Sequence, residues 1–159
     1  MRSEVEKGVV ELAMFKEFVK NAPLELRNNV VVKNDPIPDP DQRIPDIYCE
    51  LIEGPVYFEL TEACCENSVK AIKKANKTGE TQTFWGNDVS EDTVRKKLNK
   101  SYTVSEPIEL LIYTNGRTIL PDDVIINRLQ PILESRGLGC FRRAWFFGKK
   151  VKMLASTTD

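Results

Sequence analysis

The chain of 159 residues is long enough for one domain, over residues 1–159, that buries a core of its own. With 41% apolar and 30% charged residues it has the composition of a folded protein, and a formal net charge of -1 does not mark the whole molecule as a nucleic-acid binder. The absence of histidine excludes Ser-His-Asp and Cys-His hydrolases and His-ligated zinc sites. An enzyme of this composition must use carboxylate, lysine, tyrosine or cysteine chemistry.

No apolar run approaches the roughly 18 residues that are needed to cross a bilayer. Residues 1–8 are charged and lead into an amphipathic pattern, unlike the apolar core of a signal peptide. We therefore expect a cytoplasmic protein that does not interact with membranes. The four cysteines are expected to be reduced there, and their spacing contains neither a CxxC pair nor a metal knuckle.

The first half of the chain predicts a helix, a short strand and a hairpin. Apolar residues recur at helical spacing over residues 4–20, and residues 30–32 are β-branched. Residues 35–45 contain four prolines and three aspartates and are expected to form a loop. Two strands follow, over residues 46–52 and 55–62, joined by a turn at Glu53-Gly54.

The second half predicts helices alternating with strands. A helix is expected over residues 66–77, followed by a long loop, and a second helix begins after Ser90 with acids in its first turn. Residues 108–113 form a near-continuous apolar run, typical of a buried central strand. A helix from Pro121 to about Arg136 precedes a hairpin over residues 141–147 and 151–154. The fold class is α/β, with a mixed sheet of five or six strands flanked by helices.

The hairpin around Gly54 concentrates acidic side chains on one face. Pairing Leu51 with Val56 places six apolar residues on one face and six polar residues on the other. Asp46 and Glu59 then become diagonal neighbours on the polar face, with Cβ atoms about 5.5 to 8 Å apart. The polar face consists of Asp46, Tyr48, Glu50, Tyr57, Glu59 and Thr61.

Two carboxylates at this distance repel each other, and a divalent cation between their oxygens would relieve the repulsion. Mg²⁺ takes oxygen ligands and keeps bound waters, and a bound metal activates water and stabilises charge on a phosphate. A solvated sheet face with scattered acids explains the same pattern, and on pattern alone both interpretations stay open.

Two short segments carry a motif. Residues 44–46 read Ile-Pro-Asp, and residues 56–62 read Val-Tyr-Phe-Glu-Leu-Thr-Glu. Together they resemble the PD-(D/E)xK nuclease superfamily, which has the restriction-endonuclease-like fold. The resemblance extends over residues 4–115 and includes the basic segment at residues 95–102. It implies binding of Mg²⁺ or Mn²⁺ by Asp46 and Glu59, with Glu11 on the first helix as an upstream acid.

The chain departs from this family at one position, because Thr61 stands where the family has a lysine that orients or activates water. In some members this lysine lies on a neighbouring helix, and Lys70, Lys73 or Lys97 could take its place here, with Lys97 or Lys70 as the preferred candidates. Basic residues cluster over residues 70–77 and 95–100. These clusters either contact a phosphate backbone beside the acids or are ordinary solvated helix faces, and both interpretations stay open.

Three functional hypotheses follow. The first is a divalent-metal-dependent nuclease that hydrolyses phosphodiester bonds, with DNA as the expected partner. The second is a catalytically inactive nuclease-like domain with a binding or regulatory role. The third is a small interaction protein whose hairpin faces are covered by a second copy in a homodimer.

Overall fold

A computed structural model describes residues 4–27, 31–32, 43–63, 91–114 and 121–157 of the chain. The predicted helix at residues 66–77 and the loop after it lie outside these ranges. In chain order, the elements are α1 (Glu4–Asn21), β1 (Val31–Val32), β2 (Ile47–Leu51), β3 (Gly54–Glu62), α2 (Glu91–Leu98), β4 (Ile108–Tyr113), α3 (Asp122–Arg136), β5 (Phe141–Phe147) and β6 (Val151–Ser156).

The described strands form one six-stranded sheet in which each strand lies beside its neighbours in the chain. The β1–β2, β2–β3 and β5–β6 pairs are antiparallel, whereas β3–β4 and β4–β5 are parallel. Parallel neighbours need a crossover connection, and α2 and α3 belong to the two crossovers. All six residues of β4 are buried, which confirms the predicted central strand. The predicted α/β class with a mixed sheet is confirmed.

Apolar side chains pack on both faces of the sheet. On one face, α1 places Phe15 and Phe18 against Phe58, with ring centroids 5.0 Å and 5.8 Å apart. On the opposite face, α2 and α3 pack over a second cluster that includes Leu110 and Ile112 of β4. We call these the α1 face and the α2–α3 face. None of the described helices is long and apolar enough to cross a membrane.

The ends of α3 follow simple backbone preferences. Pro121 precedes the helix in an extended conformation, and proline suits a helix start because it lacks the N–H that would have no partner there. Gly137 ends the helix at φ 81, and its N–H donates to the Leu133 carbonyl over 2.9 Å. The prediction of a helix from Pro121 to about Arg136 is confirmed.

The β2–β3 hairpin has the predicted faces but a register that differs by two residues. Cys49, and not Leu51, lies opposite Val56, because the turn consists of residues 52–53. Gly54 begins β3 at φ 134, a conformation that favours glycine. Since side chains alternate with a period of two, a shift of two residues leaves each one on its predicted face. The residues predicted for the apolar face are all buried: Ile47, Cys49, Leu51, Val56, Phe58 and Leu60.

One charged group lies inside the α1 face. Glu109 of β4 has no exposed surface, and its carboxylate accepts hydrogen bonds from Arg142 (2.5 Å) and from the Trp145 indole (2.6 Å). Arg143 lies 3.0 Å from the same carboxylate and also contacts Glu53 of the hairpin turn. The β4–β5 register shifts at this point, so that two successive arginines reach one glutamate. This network connects the hairpin turn to β5.

Candidate active site

Asp46 and Glu59 lie next to each other on the α2–α3 face. The last paired residues of the hairpin are Ile47 and Phe58, and Asp46 and Glu59 are the next residues along the chain beyond that pair. Their carboxyl groups are hydrogen-bonded to each other, so the two acids that were predicted to be neighbours are in contact. Both are buried, with 7% and 3% of their surfaces exposed.

The Asp46 carboxylate is held by the backbone of β3. Its Oδ2 atom accepts a hydrogen bond from the Leu60 N–H over 2.9 Å. The regular hairpin pairing has ended here, and the aspartate side chain satisfies this backbone donor. Pro45 directly before Asp46 is also buried. The Pro-Asp pair of the motif thus fixes one carboxylate beside the strand that carries the other.

Burial raises the pKa of Glu59 from 4.5 to about 7, with a further rise from its hydrogen bond to Asp46 and from the Asp46 charge. Two carboxylates this close do not both ionise easily in a buried site. At neutral pH the Asp46–Glu59 pair therefore holds one proton for much of the time. A cation bound between the two carboxylates would relieve the same repulsion between their charges.

Lys97 and Tyr102 both contact Glu59. Lys97 extends from α2 and places its Nζ atom 3.6 Å from Glu59 Oε1, with only 13% of the lysine side chain exposed. The Tyr102 hydroxyl donates a hydrogen bond to Glu59 Oε2. Both contacts lower the pKa of Glu59, although less than burial and Asp46 raise it. Lys97, one of the predicted candidates for the displaced lysine, therefore lies beside the acids.

Lys100 belongs to the same cluster. Burial lowers the pKa of Lys100 and the charge of Lys97 lowers it further, whereas the charges of Glu59 and Asp46 act in the opposite direction. The Lys100 carbonyl accepts a 3.5 Å hydrogen bond from the Cys140 thiol. Lys100 is exposed, so it lies at the solvent edge of the cluster that Lys97 forms with the two acids.

The segment that carries Tyr102 is hydrogen-bonded to the segment just before β2 that carries Asp46. The Thr103 N–H donates to the Arg43 carbonyl over 2.9 Å, and the Arg43 N–H donates to the Thr103 hydroxyl over 3.0 Å. The Tyr102 ring packs edge-on against Phe141, with centroids 6.1 Å apart. Burial and the charge of Glu59 raise the pKa of Tyr102, so its hydroxyl remains a hydrogen-bond donor.

The remaining predicted site residues lie elsewhere or outside the described chain. Thr61 is buried on the α2–α3 face, two residues beyond Glu59 on the same strand. Glu11 is buried on α1, in helical line with Phe15 and Phe18, which pack on the opposite face of the sheet. Among the described residues, Glu11 does not complete a metal-holding group of three acids with Asp46 and Glu59. Lys70 and Lys73 lie outside the described residues.

The carboxylates of Asp46 and Glu59 suit a cation that needs few protein ligands, such as Mg²⁺. In the part of the chain that the structure describes, no group of three or more histidine, cysteine, aspartate or glutamate side chains is arranged to hold a metal. A closed zinc or calcium cage of protein ligands is therefore not formed by these residues. Mg²⁺, in contrast, is commonly bound through one or two carboxylates, with waters and substrate phosphates as the other ligands. Asp46 and Glu59 fit this mode of binding.

Comparison with known proteins adds no relative. No family model matches the chain, and neither does any curated protein or solved structure. The resemblance to the PD-(D/E)xK superfamily therefore depends on the motif residues of the sequence alone.

The sequence indicates Lys100 as part of a basic cluster near the acids, but it does not indicate that Tyr102 contacts them. Tyr102 follows the end of α2, where helical periodicity no longer indicates the direction of a side chain. The only available signal was an aromatic residue in a basic stretch close to a predicted central strand.

Proposed function

We propose that this protein is a divalent-metal-dependent nuclease in which Asp46 and Glu59 hold Mg²⁺ or Mn²⁺ and DNA is the substrate. The observation that carries the proposal is the contact between the Asp46 and Glu59 carboxyl groups, with Lys97 3.6 Å from Glu59. The metal, when bound, would lower the pKa of a water molecule and stabilise negative charge on the phosphate.

The order of elements also supports the proposal. The chain runs from helix α1 to strand β1, the β2–β3 hairpin, helix α2 and strand β4, which lies parallel to β3. This is the order of elements that the resemblance implies. The restriction-endonuclease-like core remains part of the proposal.

Each residue of the cluster has a role in this reaction. Lys97 takes the position of the missing motif lysine, donating hydrogen bonds to the attacking water or to a phosphate oxygen. Lys100 adds positive charge next to the phosphate. Tyr102 orients the Glu59 carboxylate through its hydrogen bond and, since it does not touch the reacting atoms, is a positioning residue. Thr61 occupies the motif position without supplying a charge.

A second candidate is the catalytically inactive nuclease-like domain. It is favoured by the contacts that Glu59 already makes, because Lys97 and Tyr102 satisfy its carboxylate without a metal. In that case the cluster stabilises the fold, and the acids bind no cation.

Nicking of supercoiled plasmid in the presence of Mn²⁺ tests the proposal. The native protein should convert supercoiled to relaxed DNA, whereas Asp46→Asn and Glu59→Gln should not. Asp92→Asn is the matched control, since Asp92 is an acid on the exposed surface of α2 with 93% of its side chain exposed. This variant should nick at the native rate.

Thermal melting separates the two candidates. Mn²⁺ should raise the melting temperature of the native protein and of Asp92→Asn but not that of Asp46→Asn, because only a ligand bound to the folded state stabilises it. Metal stabilisation without nicking would support a metal-binding domain that does not cleave. The absence of both effects would support the structural role of the cluster and refute the nuclease.

A further inference from the structure

Two tyrosines lie beside the acid pair on the same face of the sheet. Tyr48 of β2 and Tyr57 of β3 are directly opposed, and their ring centroids are 5.1 Å apart at an angle of 59°. Tyr57 packs against the core of the α2–α3 face, and both rings are half-buried. The two rings therefore form a supported aromatic surface, which we call the tyrosine platform (Tyr48 and Tyr57).

The distance from the tyrosine platform to Asp46 and Glu59 is about the length of one nucleotide. Tyr48 follows Asp46 by two residues and Tyr57 precedes Glu59 by two, so the two pairs are about 6.6 Å apart along the strands. This distance matches the span between the phosphate and the base of a nucleotide. A phosphate near Asp46 and Glu59 would place an adjoining base over the tyrosine rings.

Charge differs between the two ends of this surface. Lys97 and Lys100 lie at the acid pair, where a phosphate would be bound. At the other end the Tyr48 hydroxyl donates to Glu50 over 3.4 Å, and the charge of Glu106 acts on both tyrosines. Negative charge disfavours a phosphate at the platform and favours an uncharged group that carries N–H donors, as nucleobases do.

We propose that the tyrosine platform stacks an unpaired nucleobase, so that the substrate is single-stranded DNA or a strand whose base has left the duplex. A base in an intact duplex is already stacked on its neighbours and has no free face to offer. Stacking on aromatic side chains accepts any base, so the platform selects strand state and not sequence. This inference rests on the proposed function, because the acid pair supplies the phosphate position.

Binding measurements in the Glu59→Gln background test the platform without cleavage. A short single strand that contains a fluorescent adenine analogue, quenched on stacking, should be quenched by the Glu59→Gln protein, and the matching duplex should not. Adding Tyr48→Leu should remove the quenching and weaken single-strand binding about tenfold, the loss expected for one stacked base. Tyr48→Phe keeps the ring and should retain both effects.

The outcomes separate this inference from the nuclease proposal. The Tyr48→Leu variant and its Glu59→Gln parent could bind single strands equally well, while the native protein nicks plasmid. That result would refute the platform and leave the nuclease proposal in place. Equal quenching of single strand and duplex would also refute it. If the parent bound no DNA and the native protein cut none, both proposals would be wrong. If Tyr48→Leu does not fold, the platform is still tested by comparing how strongly the Glu59→Gln protein quenches the single strand and the duplex.

Discussion

Replacing Glu59 by glutamine should make the stability of the protein less dependent on pH. Glutamine keeps the shape of the side chain but cannot lose a proton. In the native protein burial raises the pKa of Glu59 from 4.5 to about 7, with Asp46 as the next cause. The folded state thus holds a proton that the unfolded chain releases at lower pH. The stability linked to this proton is complete below pH 4.5 and is lost as the pH rises through about 7.

The size of the effect follows from the two pKa values. A difference between 4.5 and about 7 corresponds to about 3 kcal/mol of unfolding free energy, at about 1.4 kcal/mol for each tenfold change in proton affinity. The native protein and Glu59→Gln share their other titrating groups. Between about pH 4 and pH 8 the native protein should therefore lose about 3 kcal/mol of unfolding free energy relative to Glu59→Gln.

Urea unfolding followed by tryptophan fluorescence at a series of pH values measures this difference. Tyr102→Phe is a matched variant that removes one oxygen atom. Because the Tyr102 hydrogen bond lowers the pKa of Glu59, its loss should move the pH-dependent fall in stability to higher pH. A difference between native protein and Glu59→Gln that stays constant across the pH range would refute the assignment of a shared, buried proton to this site.

Lys97→Met should slow plasmid nicking about a hundredfold, whereas the exposed neighbour Lys96→Met should change the rate by less than about twofold. Equal rates of the two variants in single-turnover assays would remove Lys97 from the reaction. Glu109→Gln should lower the unfolding free energy by about 3 to 5 kcal/mol in urea titrations, because two arginines lose a buried charged partner. Gly139→Ala should cost about 2 kcal/mol in the same assay, since φ is +60 and the new Cβ would lie 2.6 Å from the Leu98 carbonyl oxygen. A native-like midpoint for either variant would contradict these contacts.

Much of the fold was predictable because it depends on short-range patterns. The run at residues 108–113 is apolar except for Glu109, a pattern typical of a central strand that is buried on both faces, and the structure has β4 there. Alternation in the hairpin assigned Asp46 and Glu59 to one face even though the predicted register was wrong by two residues. The register itself depended on which residues form the turn, and the conformation of Gly54 decided that locally.

The composition of the site was less predictable than its location. The motif indicated Asp46 and Glu59, and the missing motif lysine directed attention to Lys97, which the structure places 3.6 Å from Glu59. Nothing in the sequence near Tyr102 indicated that its hydroxyl reaches the same carboxylate. Glu11 lies on a helix that packs against the other face, and spacing along the chain carries no information about which face a distant helix covers.

The amino-acid sequence by itself determined the element types, the central strand and the face of the hairpin on which the two acids lie. These follow from alternation and turn chemistry, which act over a few residues. Only the tertiary structure decided that the two acids are in contact and that Lys97, Lys100 and Tyr102 lie around them. Those contacts join residues up to 43 positions apart, and they depend on how helices and crossovers pack on the finished sheet.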